Sequence, residues 1–316
     1  MIAVAVLLLA AAPLCEGWAP AHHRPLVRGA CPPSRLQGCS DDADVAAKVA
    51  RALNAVDKLK GTSYAAGWAP SGTPQRQPST LIHGGGSRLF LDTADERLWK
   101  GHLDMGLYRG ITTNPELLER AGVACTVASI GDLARSALED HGCSEFMAQA
   151  WGGNAASLVR TGTALAGLDG ANNRVVVKVP LTPEGVKAAR ALGVAGVRVC
   201  LTACYSREQV FVAAGLGAEY VAPYLGRMAS DGGKDGVAEC AAMQRLLRGM
   251  GSSTRLLVAS LRDPAQLSAL AEAGCDTFTF SPAIAEGLLA EPSTARAAAD
   301  FEAAARAMGG TQDLAL

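Results

Sequence analysis

The sequence predicts an α/β protein whose main body is a (β/α)8 TIM barrel, preceded by a targeting leader and a linker. Three observations predict it. From Arg88 onward, short β-rich apolar runs alternate with alanine-rich amphipathic stretches; the runs number eight; and helix-start residues fall directly behind several of them. Strands separated by roughly 10 to 15 residues of helical pattern imply right-handed parallel units, and eight such units close a barrel. A doubly wound open sheet is the competing arrangement. It usually shows a glycine-rich phosphate turn after its first strand, whereas here that strand runs into DTADERLW.

In order, the predicted strands are LFLD (89–92), GITT (110–113), EFMAQA (145–150), VVVKVP (175–180), VRVCLTA (197–203), EYVAPY (219–224), RLLVAS (255–260) and DTFTFS (276–281). Asn114 before Pro115 and Thr182 before Pro183 are N-cap residues followed by proline at the first helical position, and Ser206 with Gln209 has the spacing of a capping box. Residues 292–308 form an alanine-rich amphipathic helix carrying Phe301 and Met308.

Ahead of the barrel the composition changes. The run MIAVAVLLLAAAP is shorter than the roughly 20 residues of a spanning helix and fits a signal-peptide core. The stretch behind it carries His22, His23, Arg24, Arg28 and Arg35 against one acid, Glu16, the balance of a transit peptide. With Trp18, Ala19 and Pro20 between the two parts, residues 1–39 resemble two-part plastid leaders. Plain secretion is the alternative, mildly disfavoured because no Asn-x-Ser/Thr site occurs. Residues 40–87 read as an accessory helix, on the spacing of Val45, Val49, Leu53 and Val56, followed by a linker rich in Gly, Ser, Pro and Thr. The barrel with its C-terminal helix then occupies 88–316.

Lys+Arg 29 against Asp+Glu 30 leaves a net charge of -1, so no basic field attracts nucleic acid or an anionic membrane surface. Hydrophobic residues at 49% supply a large core. The 9 cysteines include no CxxC pair and no zinc-like cluster, so reduced thiols are expected rather than a disulfide framework or a structural metal.

Period-two alternation assigns faces to the strands. In VVVKVP the set Val175, Val177, Val179 is wholly apolar and must face the helices, which turns Lys178 into the barrel. The same phasing sends Asp92, Gln149, Thr202, Tyr224 and Ser260 inward, with Asn114 just past the second strand. Each lies near the C-terminal end of its strand, where this architecture carries active sites. Burial disfavours a charged ammonium and so makes a neutral amine available to attack carbonyls. The alternative is a structural ion pair between Lys178 and Asp92.

A lysine in a ring of uncharged polar side chains suits Schiff-base chemistry, in which an iminium serves as electron sink for breaking the adjacent carbon–carbon bond. Tyr224 would move the protons, directly or through a water held by Gln149 and Thr202, while Asp92 and Asn114 would hold sugar hydroxyls. No cofactor is called for, and the sequence offers no HExxH motif or histidine cluster for a metal-dependent route. Arg227, on the loop leaving the sixth strand, could grip a phosphate, helped by Ser260 and by a helix N-terminus at Asp263 and Pro264. The alternative for Arg227 is a pairing with a nearby acid.

The segments LFLDTAD, GITTNPELL, VVVKVPLTPEG, GAEYVAPYLGR and VASLRDP, in this order over about Arg88 to Met308, resemble the transaldolase and fructose-6-phosphate aldolase family. That resemblance implies a class I enzyme with Lys178 as the Schiff-base lysine. It also implies that Asp92, Thr112, Asn114, Thr202, Ala222, Arg227 and Ser260 match catalytic or substrate-binding positions. Gln149, Tyr224 and the CLTACYS strand are similar to the fructose-6-phosphate aldolase branch, in which the tyrosine is the general acid/base. Leu201 and the WGGN after Gln149 depart from the family pattern. A true transaldolase, passing a dihydroxyacetone unit from sedoheptulose 7-phosphate to glyceraldehyde 3-phosphate, is the alternative activity, and a catalytically silent phosphosugar-binding barrel is a third reading. By resemblance the C-terminal helix packs on a neighbouring subunit, implying a homo-oligomer; packing within one chain accounts for it equally well.

Overall fold

A computed structural model describes residues 86–170 and 172–310. The leader, the accessory helix and nearly all of the linker lie outside the described residues. The eight predicted strands form, as β1 (Arg88–Asp92), β2 (Gly110–Thr112), β3 (Glu145–Gln149), β4 (Val175–Pro180), β5 (Val199–Cys204), β6 (Tyr220–Pro223), β7 (Arg255–Val258) and β8 (Thr277–Phe280). Each pairs in parallel with the next, and β8 returns to β1 to close the barrel.

Helices fill the connections. They are α1 (Trp99–Leu103), α2 (Pro115–Ala121), α3 (Val127–Arg135), α4 (Ala155–Ala166), α5 (Pro183–Val194) and α6 (Gln209–Leu216). Then come α7 (Leu225–Gly232), α8 (Gly236–Gly249), α9 (Pro264–Glu272), α10 (Pro282–Gly287) and α11 (Pro292–Ala307). Asn114 caps α2 by accepting from the Leu117 N–H at 3.0 Å, and Thr182 caps α5 through the Gly185 N–H at 3.1 Å, each with proline at the first position. These side chains satisfy donors that the first helical turn leaves without intrahelical partners. The box predicted at Ser206 forms only in part: the Gln209 side chain accepts from the Tyr205 and Ser206 N–H groups, but α6 starts at Gln209 with no side-chain cap.

Strand alternation separates two apolar groups. Leu91, Ile111, Phe146, Val175, Val177, Val179, Val221 and Val258 pack outward against the helices, while Phe90, Met147, Val176, Cys200, Tyr220, Ala222 and Leu257 form a belt inside the barrel. The belt separates two polar ends. Gly110 lies where β2 passes β3 so closely that a Cβ there would run into the Glu145 carbonyl, which explains a glycine inside a buried strand.

At the N-terminal end, Glu145 is 1% exposed and accepts hydrogen bonds from Arg109 and, at 2.8 Å, from the Tyr220 hydroxyl. Arg198 lies 3.2 Å and Arg88 3.7 Å from its carboxylate, and both also reach Glu219. Burial pushes the Glu219 carboxyl up, but Arg198 and Arg88 outweigh it and hold the group below its ordinary range; Asp169, opposed by burial and held by Arg174, shifts the same way. A lowered folded value means stability that is fully present above the ordinary values of 3.8 and 4.5 and is lost as the pH falls through the lower folded ones. The urea midpoint should therefore drop below about pH 4, and Glu219→Gln should flatten the drop; a variant with an unchanged pH profile contradicts this.

Candidate active site

Opposite that charged base, the strand ends present the predicted polar ring. Lys178 is 3% exposed and lies beside Gln149 and Cys200 in the strand register. Among the described residues no carboxylate is ion-paired to it, so the structural pair with Asp92 does not form. Asp92 instead accepts from the Thr112 hydroxyl at 2.6 Å, and Thr112 in turn shares a 2.5 Å hydrogen bond with Thr279. Burial pushes the Cys200 thiol up to about 12, opposed in part by Lys178, so at neutral pH it stays protonated and does not compete as a nucleophile.

On the other side of the mouth, the Thr202 hydroxyl and the Tyr224 hydroxyl lie 2.9 Å apart. Ala203, with φ of 58°, takes the left-handed conformation at the bulge between Leu201 and Cys204. The extra twist keeps Thr202 inside and turns Cys204 out into the helix-facing core. Such strain in a non-glycine residue costs on the order of 1 to 3 kcal/mol and persists where surrounding packing enforces it. Tyr224 follows β6 directly and takes the N-cap position of α7 without a side-chain cap, and its ring meets that of Tyr205 edge to face at 5.7 Å.

Several expected positions differ in detail. Arg227 lies in the first turn of α7 rather than on a loop, because the helix begins directly at the strand end. Its guanidinium is 5.3 Å above the Tyr224 ring and bonds Glu116 at 2.5 Å, so the acid pairing weighed as the alternative is present. That hydrogen bond, with the Tyr205 hydroxyl adding to it against burial, holds Arg227 well above the usual guanidinium range. Ser260 does not point inward by alternation: Leu257 belongs to the inner belt and Val258 to the outer core, which puts Ser260 out of phase. It lies beyond the end of β7 with φ of 60°, and its carbonyl accepts from the Gly226 N–H. Ala222 lies in the apolar belt, 1% exposed. Asn114 spends its side-chain oxygen on the cap of α2. The N-terminus of α9 is already capped by the Asp263 carboxylate, which weakens it as an anion site.

Three residues near the site escaped the sequence reading. Thr279 was within reach of it, since alternation along TFTF phases Thr279 with the inner side of Phe90. Glu116 reads as an ordinary first-turn acid, and Tyr205 follows a strand whose bulge hides its direction.

Fold and site together define a closed parallel barrel with a buried lysine at its C-terminal mouth, set among hydroxyl, amide and carboxylate groups suited to polyhydroxylated carbonyl compounds. The family described as Transaldolase/Fructose-6-phosphate aldolase matches residues 89–315. Three proteins each named "Probable transaldolase" are similar to the chain. The one from Hyphomonas neptunium is 35% identical over 70% of this chain and 98% of its own length. The one from Anaeromyxobacter dehalogenans is 34% identical over 66% and 91%, and that from Leptospira biflexa 33% identical over 67% and 95%. The chain belongs to the transaldolase/fructose-6-phosphate aldolase family. It is an aldolase-type enzyme of carbohydrate metabolism, and action as a lyase or as a transferase of ketone groups both fit. A phosphosugar substrate fits the family, and no helix of the described residues is long and apolar enough to cross a membrane.

Proposed function

We propose that the chain cleaves fructose 6-phosphate through a Schiff base on Lys178, releasing glyceraldehyde 3-phosphate and dihydroxyacetone. The observation that carries this reading is the buried Lys178, with no carboxylate ion-paired to it among the described residues, on the strand beside the one that carries Thr202, whose hydroxyl meets that of Tyr224. The Lys178 amine adds to the C2 carbonyl, and the carbinolamine loses water to give an iminium. Removal of the C4 hydroxyl proton breaks the C3–C4 bond, and its electron pair moves into the iminium to form an enamine. Tyr224 moves the protons at the C4 oxygen and at the carbinolamine, directly or through a water held by Gln149 and Thr202. Asp92, fixed by Thr112, and the Asn114 amide hold sugar hydroxyls. Arg227 takes the phosphate, with Ser260 and the Ala222 backbone completing the substrate contacts.

The fate of the enamine separates the two branches. An aldolase protonates it at C3 and hydrolyses the resulting iminium, whereas a transaldolase keeps it dry until an acceptor aldehyde arrives. Gln149 cannot ionise, which leaves proton transfer to Tyr224 and favours release. The transferase reading draws on the names of the relatives. Incubating the chain with fructose 6-phosphate, with and without erythrose 4-phosphate, decides between them: free dihydroxyacetone supports the aldolase, and sedoheptulose 7-phosphate without free dihydroxyacetone supports the transferase. Gln149→Glu should shift products toward transfer and away from free dihydroxyacetone; unchanged partitioning means this side chain does not set the outcome.

The reading extends to assembly and location. Helix α11 buries none of its residues and leaves Phe301 73% exposed, which suits packing on a second copy in a homo-oligomer. Light scattering that returns the mass of one chain contradicts it. The leader directs the enzyme to a plastid in this reading, with secretion as the alternative. A fluorescent fusion of residues 1–87 that is exported without reaching a plastid favours the second.

A further inference from the structure

Arg227 reaches from the first turn of α7 to Glu116 in the first turn of α2, Nη2 to Oε2 at 2.5 Å. The same Glu116 oxygen lies 3.6 Å from Nη2 of Arg120, one turn further along α2. One carboxylate thus sits between two cations, and one of these is the guanidinium stacked over Tyr224 at the mouth. Glu116 and Arg227 are 52% and 34% exposed, so the pair can exchange partners without stranding a buried charge.

We propose that Glu116 is a specificity-determining residue: it occupies the place of the substrate phosphate on Arg227 and is released to Arg120 when a phosphorylated sugar binds. The proposal rests on Arg227 being the phosphate site. A phosphate that takes the Nη2 donor of Arg227 now given to Glu116 must displace the carboxylate from it, because two anions meeting at that one nitrogen repel each other. Arg120 receives the displaced group, so no charge is left unpaired. A sugar without phosphate leaves the Glu116–Arg227 pair closed and meets no such competition. Glu116 therefore lowers the advantage that a phosphate confers, by an amount set by a partly exposed ion pair.

The test uses the full-length chain, fructose 6-phosphate as substrate and inorganic phosphate as competitive inhibitor. Glu116→Gln, which keeps shape and removes charge, should lower both the KM for fructose 6-phosphate and the inhibition constant of inorganic phosphate about five-fold, the upper range for an exposed pair. Arg227→Met should raise both at least about ten-fold, as loss of a charge-assisted phosphate contact requires. If Arg227→Met raises them while Glu116→Gln leaves them unchanged or raises them, Glu116 merely ties α2 to α7 or positions Arg227. The proposal is then overturned while the phosphate site stands. If Arg227→Met changes neither constant, the phosphate site is elsewhere and the proposal falls with it.

Discussion

Lys178→Met abolishes cleavage of fructose 6-phosphate, lowering kcat by at least roughly 10⁴-fold, the scale on which enzymes lose rate when a covalent nucleophile is removed. The fold should survive. Lys178 is buried beside Gln149 and Cys200 in the strand register, and among the described residues it gives up no ion pair or side-chain hydrogen bond when replaced. Methionine is unbranched and fills the same channel with an apolar chain, a change that suits the belt beneath it. Lys178→Arg separates charge from chemistry: the guanidinium keeps a cation at the site but does not condense with a ketone under these conditions. Both variants should be inactive with near-native circular dichroism. Should the Lys178→Arg variant retain more than about a tenth of the activity, a loss of under roughly 1.4 kcal/mol in transition-state stabilisation, the site would be using the charge and not the amine.

The largest effect on stability is expected at the other end of the barrel. Glu145→Gln should destabilise the protein by about 3 to 5 kcal/mol, the usual cost of removing one partner from a buried ionic cluster. The carboxylate accepts from Arg109 and Tyr220 and lies within ion-pairing distance of Arg88 and Arg198. Without the charge Arg88 and Arg198 share Glu219, and Arg109 and Tyr220, whose phenol burial holds protonated and which use different oxygens of Glu145, are left with one acceptor oxygen between them. Glu219→Gln should cost far less at neutral pH, because its side chain is 32% exposed and water replaces part of what is lost. Urea unfolding of the two variants measures the difference. A Glu145→Gln cost within about 1 kcal/mol of that for Glu219→Gln would show that the cluster is not held together by its buried centre.

The barrel was legible because its signals are local. Alternation within VVVKVP fixes a face, and a proline behind Asn114 or Thr182 fixes a helix start; both depend on neighbours a few residues away. The same rule placed Lys178, Asp92, Gln149 and Thr202 correctly inside the barrel. It does not carry through Ser260 and Ala203, whose left-handed backbones interrupt the period of two just past β7 and within β5. Neither is a glycine, so nothing in the residue types announces the turn. The partners of Arg227 and Glu145 were hidden for a different reason. They come from elements far apart in sequence, such as Glu116 with Arg227 and Tyr220 with Glu145, and meet only when the barrel closes.

Incubating the full-length chain with dihydroxyacetone, reducing with borohydride and mapping the modified peptide by mass spectrometry tests the Schiff base on Lys178 most directly. A reduced three-carbon adduct on Lys178, absent when borohydride is omitted, is the predicted result. An unmodified Lys178, or an adduct carried on another lysine instead, would contradict it.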